Sequence, residues 1–111
     1  MAELAANLAQ FALETRPEGN ATEVMQLSLL DWAAVSIAGQ NEPVAQILRD
    51  QALHEGGAPE AGLIGSDVRV PARMAALVNG TTSHALDYDD THFAHIGHPS
   101  VAVVPAALAV A

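Results

Sequence analysis

Glycine and proline residues divide the chain into stretches of about helix length. Proline is favoured in or just before the first turn of a helix, and glycine is favoured just after the last turn. The breaks fall at Pro17 and Gly19, at Gly39, at Gly56 to Pro59, and at Pro71. Because small aliphatic residues recur between these breaks at the spacing of one helix face, the pattern predicts an all-α chain of about five helices.

The predicted helices span about residues 2–14, 20–38, 43–55, 71–86 and 99–111. At the start of the second helix, Asn20 followed by Glu23 predicts a capping box. Apolar residues on most sides of that helix predict burial on most sides. Gly80 within the fourth helix costs ~1 kcal/mol relative to alanine, which indicates close approach of another helix or of a ligand. Residues 61–65 are predicted as an extended connector or a short strand.

Charge and composition exclude several classes of protein. The formal net charge is −9, and the four cationic side chains are all arginine. Nucleic acid is bound by clustered lysine and arginine, so we expect no nucleic-acid partner and, for the same reason, no membrane partner. Cysteine is absent, which excludes thiol chemistry. Without a basic leader or an apolar run of ~18–20 residues, we expect a cytoplasmic protein of one domain at most.

Residues 84–100 have the highest density of groups that move protons or bind ions. This stretch begins on the last turn of the fourth predicted helix and continues into a loop predicted from about residue 89 to 99. It contains His84, His92, His95, His98, Asp87, Asp89 and Asp90. We therefore take it as the candidate site.

A metal site is one interpretation of this stretch. His92, His95 and His98 lie at three-residue intervals, with Asp87 and Asp90 upstream. Imidazole and carboxylate groups ligate zinc or iron. The two-histidine zinc helix, however, has its histidines four residues apart with a glutamate between them, and the sequence lacks that pattern.

Proton transfer is the second interpretation. Histidine titrates near neutrality, and a nearby carboxylate fixes its tautomer, so such a pair can take a proton from carbon or give one to a leaving hydroxyl. Asp89 and Asp90 are adjacent like charges, and ionising both in a pocket is costly unless one is hydrogen-bonded or solvated. The plain alternative is that the aspartates cap a helix and the histidines are solvated.

Several short runs follow one another through and around this stretch. They are ALVNGT (76–81), HALDYDDT (84–91), HPS (98–100) and PAAL (105–108). Together they closely resemble the MmgE/PrpD family, which includes 2-methylcitrate dehydratase, cis-aconitate decarboxylase and iminodisuccinate epimerase. The resemblance implies a large all-α domain with a smaller α/β lid, homodimers, and no metal or organic cofactor. It identifies residues 1–111 as the N-terminal part of the helical domain of a larger two-domain protein, without the lid.

The resemblance also implies which residues form the site. Asp87 and His98 would be catalytic, with His98 as the acid/base and Asp87 orienting it or sharing its proton. Thr91 would hold a substrate carboxylate, and Asp90 and His84 would also bind substrate. The spacing from Thr91 to His98 is one residue longer than in the decarboxylases. The family pocket further uses a lysine and a histidine from later in the chain.

The predicted function is that of the N-terminal segment of a lyase that removes an α-proton and a β-hydroxyl from a small polycarboxylate. An epimerase or a decarboxylase of the same family would use the same residues. A non-catalytic helical module that pairs with a partner through residues 101–111 is the alternative from a different class. A polycarboxylate also needs cationic groups, and Arg69 and Arg73 are the candidates in this chain.

Overall fold

The computed structural model describes residues 2–111, and most of them lie in five helices. In chain order the elements are α1 (Ala2–Glu14), α2 (Ala21–Gly39), α3 (Pro43–Glu55), β1 (Ala61–Gly62), β2 (Arg69–Val70), α4 (Ala72–His84) and α5 (Pro99–Val110). The two strands pair antiparallel, with Ala61 opposite Val70. The predicted all-α fold class is confirmed. β1 lies within the predicted connector, whereas β2 was not predicted.

Helix α4 is the centre of the structure, since α2, α3, α5 and both strands pack against it. Ala75 and Val78 of α4 are fully buried. They belong to a core of small aliphatic side chains that also contains Ala52, Ala61, Leu63 and Val70. Because these side chains are short, the elements around α4 approach it closely.

Two glycines mark where helix backbones come together. A Cβ atom on Gly80 of α4 would lie 3.1 Å from the carbonyl oxygen of Val101 on α5. A Cβ atom on Gly39 of α2 would overlap the carbonyl oxygen of Thr82 on α4. The close approach predicted from Gly80 is therefore confirmed, and the neighbour is a helix.

Asn79 joins α4 to the segment that follows β1. Its Nδ2 donates a hydrogen bond to the carbonyl oxygen of Gly62 at 2.9 Å, and its Oδ1 accepts one from the backbone N–H of Ile64 at 2.8 Å. Both polar atoms of the amide thus hold the end of the two-stranded sheet. These contacts give Asn79 a role in packing.

Two predictions about α2 are wrong. Asn20 precedes the helix but makes no side-chain capping hydrogen bond, because its φ of −86° and ψ of 5° are not the extended conformation that an N-cap side chain requires. The helix is also exposed over most of its length, and Leu30 and Ile37 are 67% and 62% exposed. Only one side of its C-terminal half packs, mainly against α4, and it buries Trp32, Val35, Ser36 and Gly39.

Helix α5 is apolar on all sides but only partly buried. Ser100, Val104 and Pro105 face the rest of the chain, whereas Val103 and Val110 are 62% and 81% exposed. No helix within residues 2–111 combines the length and the apolar character needed to cross a membrane.

Candidate active site

The loop between α4 and α5, residues 85–98, folds back on itself and brings two histidines together. A tight turn is closed by hydrogen bonds from the N–H of His92 to the oxygen of Gly97 at 2.9 Å and from the N–H of Ile96 to the oxygen of His92 at 2.8 Å. This turn returns His98, at the start of α5, to the side of His84, at the end of α4. Their ring centroids lie 4.8 Å apart in a T-shaped arrangement with an interplanar angle of 62°.

Asp89 contacts both rings from the buried side. Its side chain is 2% exposed, and its Oδ1 lies 2.8 Å from Nδ1 of His84 and 3.4 Å from Nδ1 of His98. Its backbone oxygen lies 3.0 Å from the same nitrogen of His98. The second carboxylate oxygen, Oδ2, is buried and has no hydrogen-bond partner among the residues described. Asp89 therefore contacts the inner nitrogen of each imidazole.

Asp87 lies on the outer side of the same rings. Its side chain is 79% exposed, and its Oδ1 is 3.7 Å from Nε2 of His84 and 3.7 Å from Nε2 of His98. Its φ of +55° is in the left-handed region, which aspartate and asparagine tolerate better than most residues. Three groups that accept or donate protons thus surround one solvent-facing point, an arrangement suited to general acid–base chemistry.

Asp90 has a different environment from its two neighbouring aspartates. Its Oδ2 accepts a hydrogen bond from the Ser100 hydroxyl at 2.5 Å, and its Oδ1 accepts one from the Ser100 backbone N–H at 3.2 Å. Its own N–H donates to Oδ2 of Asp31 on α2 at 3.0 Å. Both carboxylate oxygens are used at the start of α5, where negative charge is favourable. Asp90 therefore joins the loop to two helices, as the helix-capping alternative predicts.

The remaining polar residues of the loop are exposed. The hydroxyl of Thr91 contacts the backbone oxygen of Asp89 at 3.4 Å, and Thr91 itself faces solvent. The rings of His92 and His95 lie 6.4 Å apart on the exposed turn. Thr91 is thus adjacent to the cluster, while His92 and His95 belong to the turn that positions His98.

The site that the structure assembles is the group His84, Asp87, Asp89 and His98, which we call the histidine–aspartate cluster. Sequence reasoning selected three of these four residues and missed Asp89. A signal was present, because adjacent aspartates in a pocket require that one of them be hydrogen-bonded or solvated. The sequence did not reveal that Asp89 is the buried one and that Asp90 caps a helix.

The metal interpretation of the sequence used a different set of ligands, His92, His95 and His98 with Asp87 and Asp90 upstream. Within residues 2–111 the only group with ligand spacing is His84, Asp89 and His98, whose donor atoms lie within 4.8 Å of one another. Ligands of tetrahedral zinc at ~2.0–2.1 Å stand about 3.3 Å apart, but Nδ1 of His84 and Oδ1 of Asp89 are 2.8 Å apart. That separation fits a direct hydrogen bond.

The two histidines of the cluster face different cavities. His84 lines an apolar cavity of about 510 Å³ between α4 and α5, together with Leu77, Gly80 and Val101. His98 lines a second cavity of about 480 Å³ on the side of the exposed turn. Each of these two histidines therefore lines its own concave surface, and Ala102 lines both cavities.

Arg69 and Arg73 lie at the opposite end of α4 from this site. Arg73 precedes His84 by 11 residues on α4, which is about 16 Å along the helix axis. Arg69 donates hydrogen bonds to the backbone oxygens of Pro59 and Glu60 at the same far end. The prediction that these arginines neutralise a substrate here is wrong, because α4 separates them from the cluster by its whole length.

Comparisons with known proteins give matches to one family. The family model described as the MmgE/PrpD N-terminal domain matches residues 2–111. The cis-aconitate decarboxylase of Homo sapiens is 47% identical over 45 residues, which are 40% of this chain and 9% of the decarboxylase. No solved structure gives a significant match.

Proposed function

The chain belongs to the MmgE/PrpD family, and from this premise we propose that it provides the proton-transfer site of a lyase. The substrate would be a small polycarboxylate, and the reaction would remove an α-proton and a β-hydroxyl, as in a 2-methylcitrate dehydratase. One observation carries the proposal: Nε2 of His84 and Nε2 of His98 each lie 3.7 Å from Oδ1 of the exposed Asp87. The family includes dehydratases and decarboxylases, so its chemistry requires such groups.

The reaction needs one base and one acid. His98 takes the proton from the carbon beside a carboxylate, and the C–H electron pair forms the new C=C bond. The C–O bond at the neighbouring carbon breaks, and the leaving hydroxyl accepts a proton and departs as water. Asp87 shares the proton with His98, so the same site can supply it to the hydroxyl.

Substrate binding uses the groups that surround this point. The exposed hydroxyl of Thr91 donates a hydrogen bond to one substrate carboxylate, and His84, when protonated, attracts another. The contribution of Asp90 is indirect, because Ser100 uses both of its carboxylate oxygens. With only four arginines against 13 acidic residues, further cations would come from the later lysine and histidine that the resemblance implies.

Decarboxylation is the second candidate, and the match to cis-aconitate decarboxylase favours it. In that reaction a C–C bond breaks, carbon dioxide leaves, and the electron pair left on carbon takes a proton from the acid. An epimerase would remove a proton and return it on the opposite face. In all three reactions His98 and Asp87 would move a proton to or from carbon. The three reactions are therefore distinguished by their products.

The test is to express the complete gene and incubate its product with 2-methylcitrate, cis-aconitate and iminodisuccinate in D₂O. A dehydratase forms an alkene, a decarboxylase releases carbon dioxide, and an epimerase inverts a centre with solvent deuterium at the α-carbon. We expect alkene formation from 2-methylcitrate, unchanged by prior treatment with a chelator. If none of the three acids is converted and none gains deuterium, the non-catalytic helical module becomes the better interpretation.

A further inference from the structure

Asp89 is the one member of the cluster that is buried, with a side chain only 2% exposed. We propose that Asp89 is a positioning residue: it holds His84 and His98 in the form that carries hydrogen on Nδ1, so that both Nε2 atoms face Asp87. The catalytic consequence of this arrangement rests on the proposed function, whereas the tautomers themselves do not.

For His84 the argument is a single short contact. Nδ1 lies 2.8 Å from Oδ1 of Asp89, and an ionised carboxylate only accepts hydrogen bonds. A hydrogen bond at this distance to an ionised Asp89 places the hydrogen on Nδ1. The carboxylate is almost fully buried, so water competes little for this contact.

For His98 the same residue supplies two acceptors. Nδ1 lies 3.0 Å from the backbone oxygen of Asp89 and 3.4 Å from its Oδ1. A backbone carbonyl oxygen only accepts hydrogen bonds, so the contact at 3.0 Å places the hydrogen on Nδ1 of His98. Asp89 thus fixes two rings at once, through its side chain and through its main chain.

The consequence appears on the outer side of the cluster. With hydrogen on Nδ1, a neutral imidazole presents the lone pair of Nε2. Two such lone pairs would then face Oδ1 of Asp87 at 3.7 Å each, which is repulsive unless a proton is held among the three atoms. By fixing the two tautomers, Asp89 therefore lets His84, His98 and Asp87 hold one proton together for transfer.

The unpartnered oxygen of Asp89 supports a positioning role over a purely structural one. Oδ2 is buried without a hydrogen-bond partner among the described residues, and such an oxygen destabilises the fold. A carboxylate kept for stability alone would be expected to have both oxygens bonded, as Asp90 does with Ser100.

The first measurement is the tautomer of each ring. Long-range ¹H–¹⁵N correlation spectra of the complete gene product, recorded at a pH where the rings are neutral, distinguish hydrogen on Nδ1 from hydrogen on Nε2. We expect Nδ1–H for both His84 and His98. Hydrogen on Nε2 of either ring would overturn the proposal, and this result needs no variant and no substrate.

The second measurement uses Asp89→Asn, which keeps the shape of the side chain and replaces one oxygen with a donor. We expect at least one of the two rings to lose the Nδ1–H form. We expect kcat to fall by about 10²–10⁴-fold, the range of a general acid–base contribution, with KM changed by only a few-fold. Asp67→Asn, which removes the same charge from an exposed turn, is the matched control. It should leave the two tautomers, kcat and KM unchanged.

The two proposals fail in different ways. If both rings carry hydrogen on Nδ1 but no substrate is converted, the positioning by Asp89 stands and the proposed lyase function falls. If the substrate is converted and Asp89→Asn retains the parent kcat and both tautomers, the lyase function stands and the positioning role falls.

Discussion

Helix α1 and the loop 85–98 are opposites in regularity and in burial. Helix α1 is a continuous helix, and not one of its side chains is buried. The loop is irregular and has two non-glycine residues at positive φ, yet it contains the 2% exposed carboxylate of Asp89. In this chain a regular backbone follows from local sequence alone, whereas the site depends on contacts between distant residues.

The largest effect is expected from a substitution that removes an acid–base group from the loop without changing the loop's structure. We expect Asp87→Asn to lower kcat by at least about 10²-fold while the melting temperature stays nearly constant. The side chain is 79% exposed, and asparagine tolerates the positive φ at this position. Steady-state kinetics and thermal unfolding of the complete gene product measure the two quantities.

The control for this variant is Asp50→Asn, which removes the same charge from an exposed position on α3. Its turnover should equal that of the parent. Normal turnover in Asp87→Asn would contradict the assignment of Asp87 to the site.

A smaller effect is expected where the loop joins α5. Ser100→Ala removes the hydroxyl that donates to Asp90 at 2.5 Å and leaves Oδ2 of that carboxylate without its partner. We expect the free energy of unfolding to fall by about 1.5–3 kcal/mol, the range for a hydrogen bond to a charged group. Urea unfolding measures it, with Ser28→Ala on α2 as a half-buried control. Equal stability of the two variants would show that Asp90 does not hold the loop.

The smallest effect is expected in α1. Leu8 is 59% exposed, so Leu8→Ala should change the free energy of unfolding by less than about 0.5 kcal/mol. Val78→Ala in the fully buried core is the comparison, and its expected loss is about 1.5–3 kcal/mol. If the two variants lose similar stability in urea, the apolar face of α1 is covered in the folded protein and the contrast with the loop disappears.

The positions of the helices were predictable because their signals are local. Pro43 starts α3 and Gly56 follows its last residue, as the sequence indicates. Burial was not predictable in the same way, because alanine and leucine repeat so densely in α2 that no single face stands out. Leu30 lies on the helix that was predicted to be buried on most sides, and it is 67% exposed.

The sequence was enough to select residues for the candidate site but not to predict how they are arranged. The density of histidine and aspartate identified residues 84–100, and the resemblance selected Asp87 and His98. The backbone N–H of Asp90 is held by Asp31, which lies 59 positions earlier in the chain. No pattern of neighbouring residues encodes a contact across that separation.

The glycine contacts of α4 have a consequence for how this site can change over evolution. Gly39 lies against the backbone of the last turn of α4, and Gly80 brings α4 against the backbone of α5. At Gly80, the carbonyl oxygen of Val101 therefore helps to set the spacing between α4, which ends at His84, and α5, which follows His98. Exchange of core side chains among small aliphatic types, and of side chains that line the two cavities, would therefore leave this backbone contact beside the two rings in place.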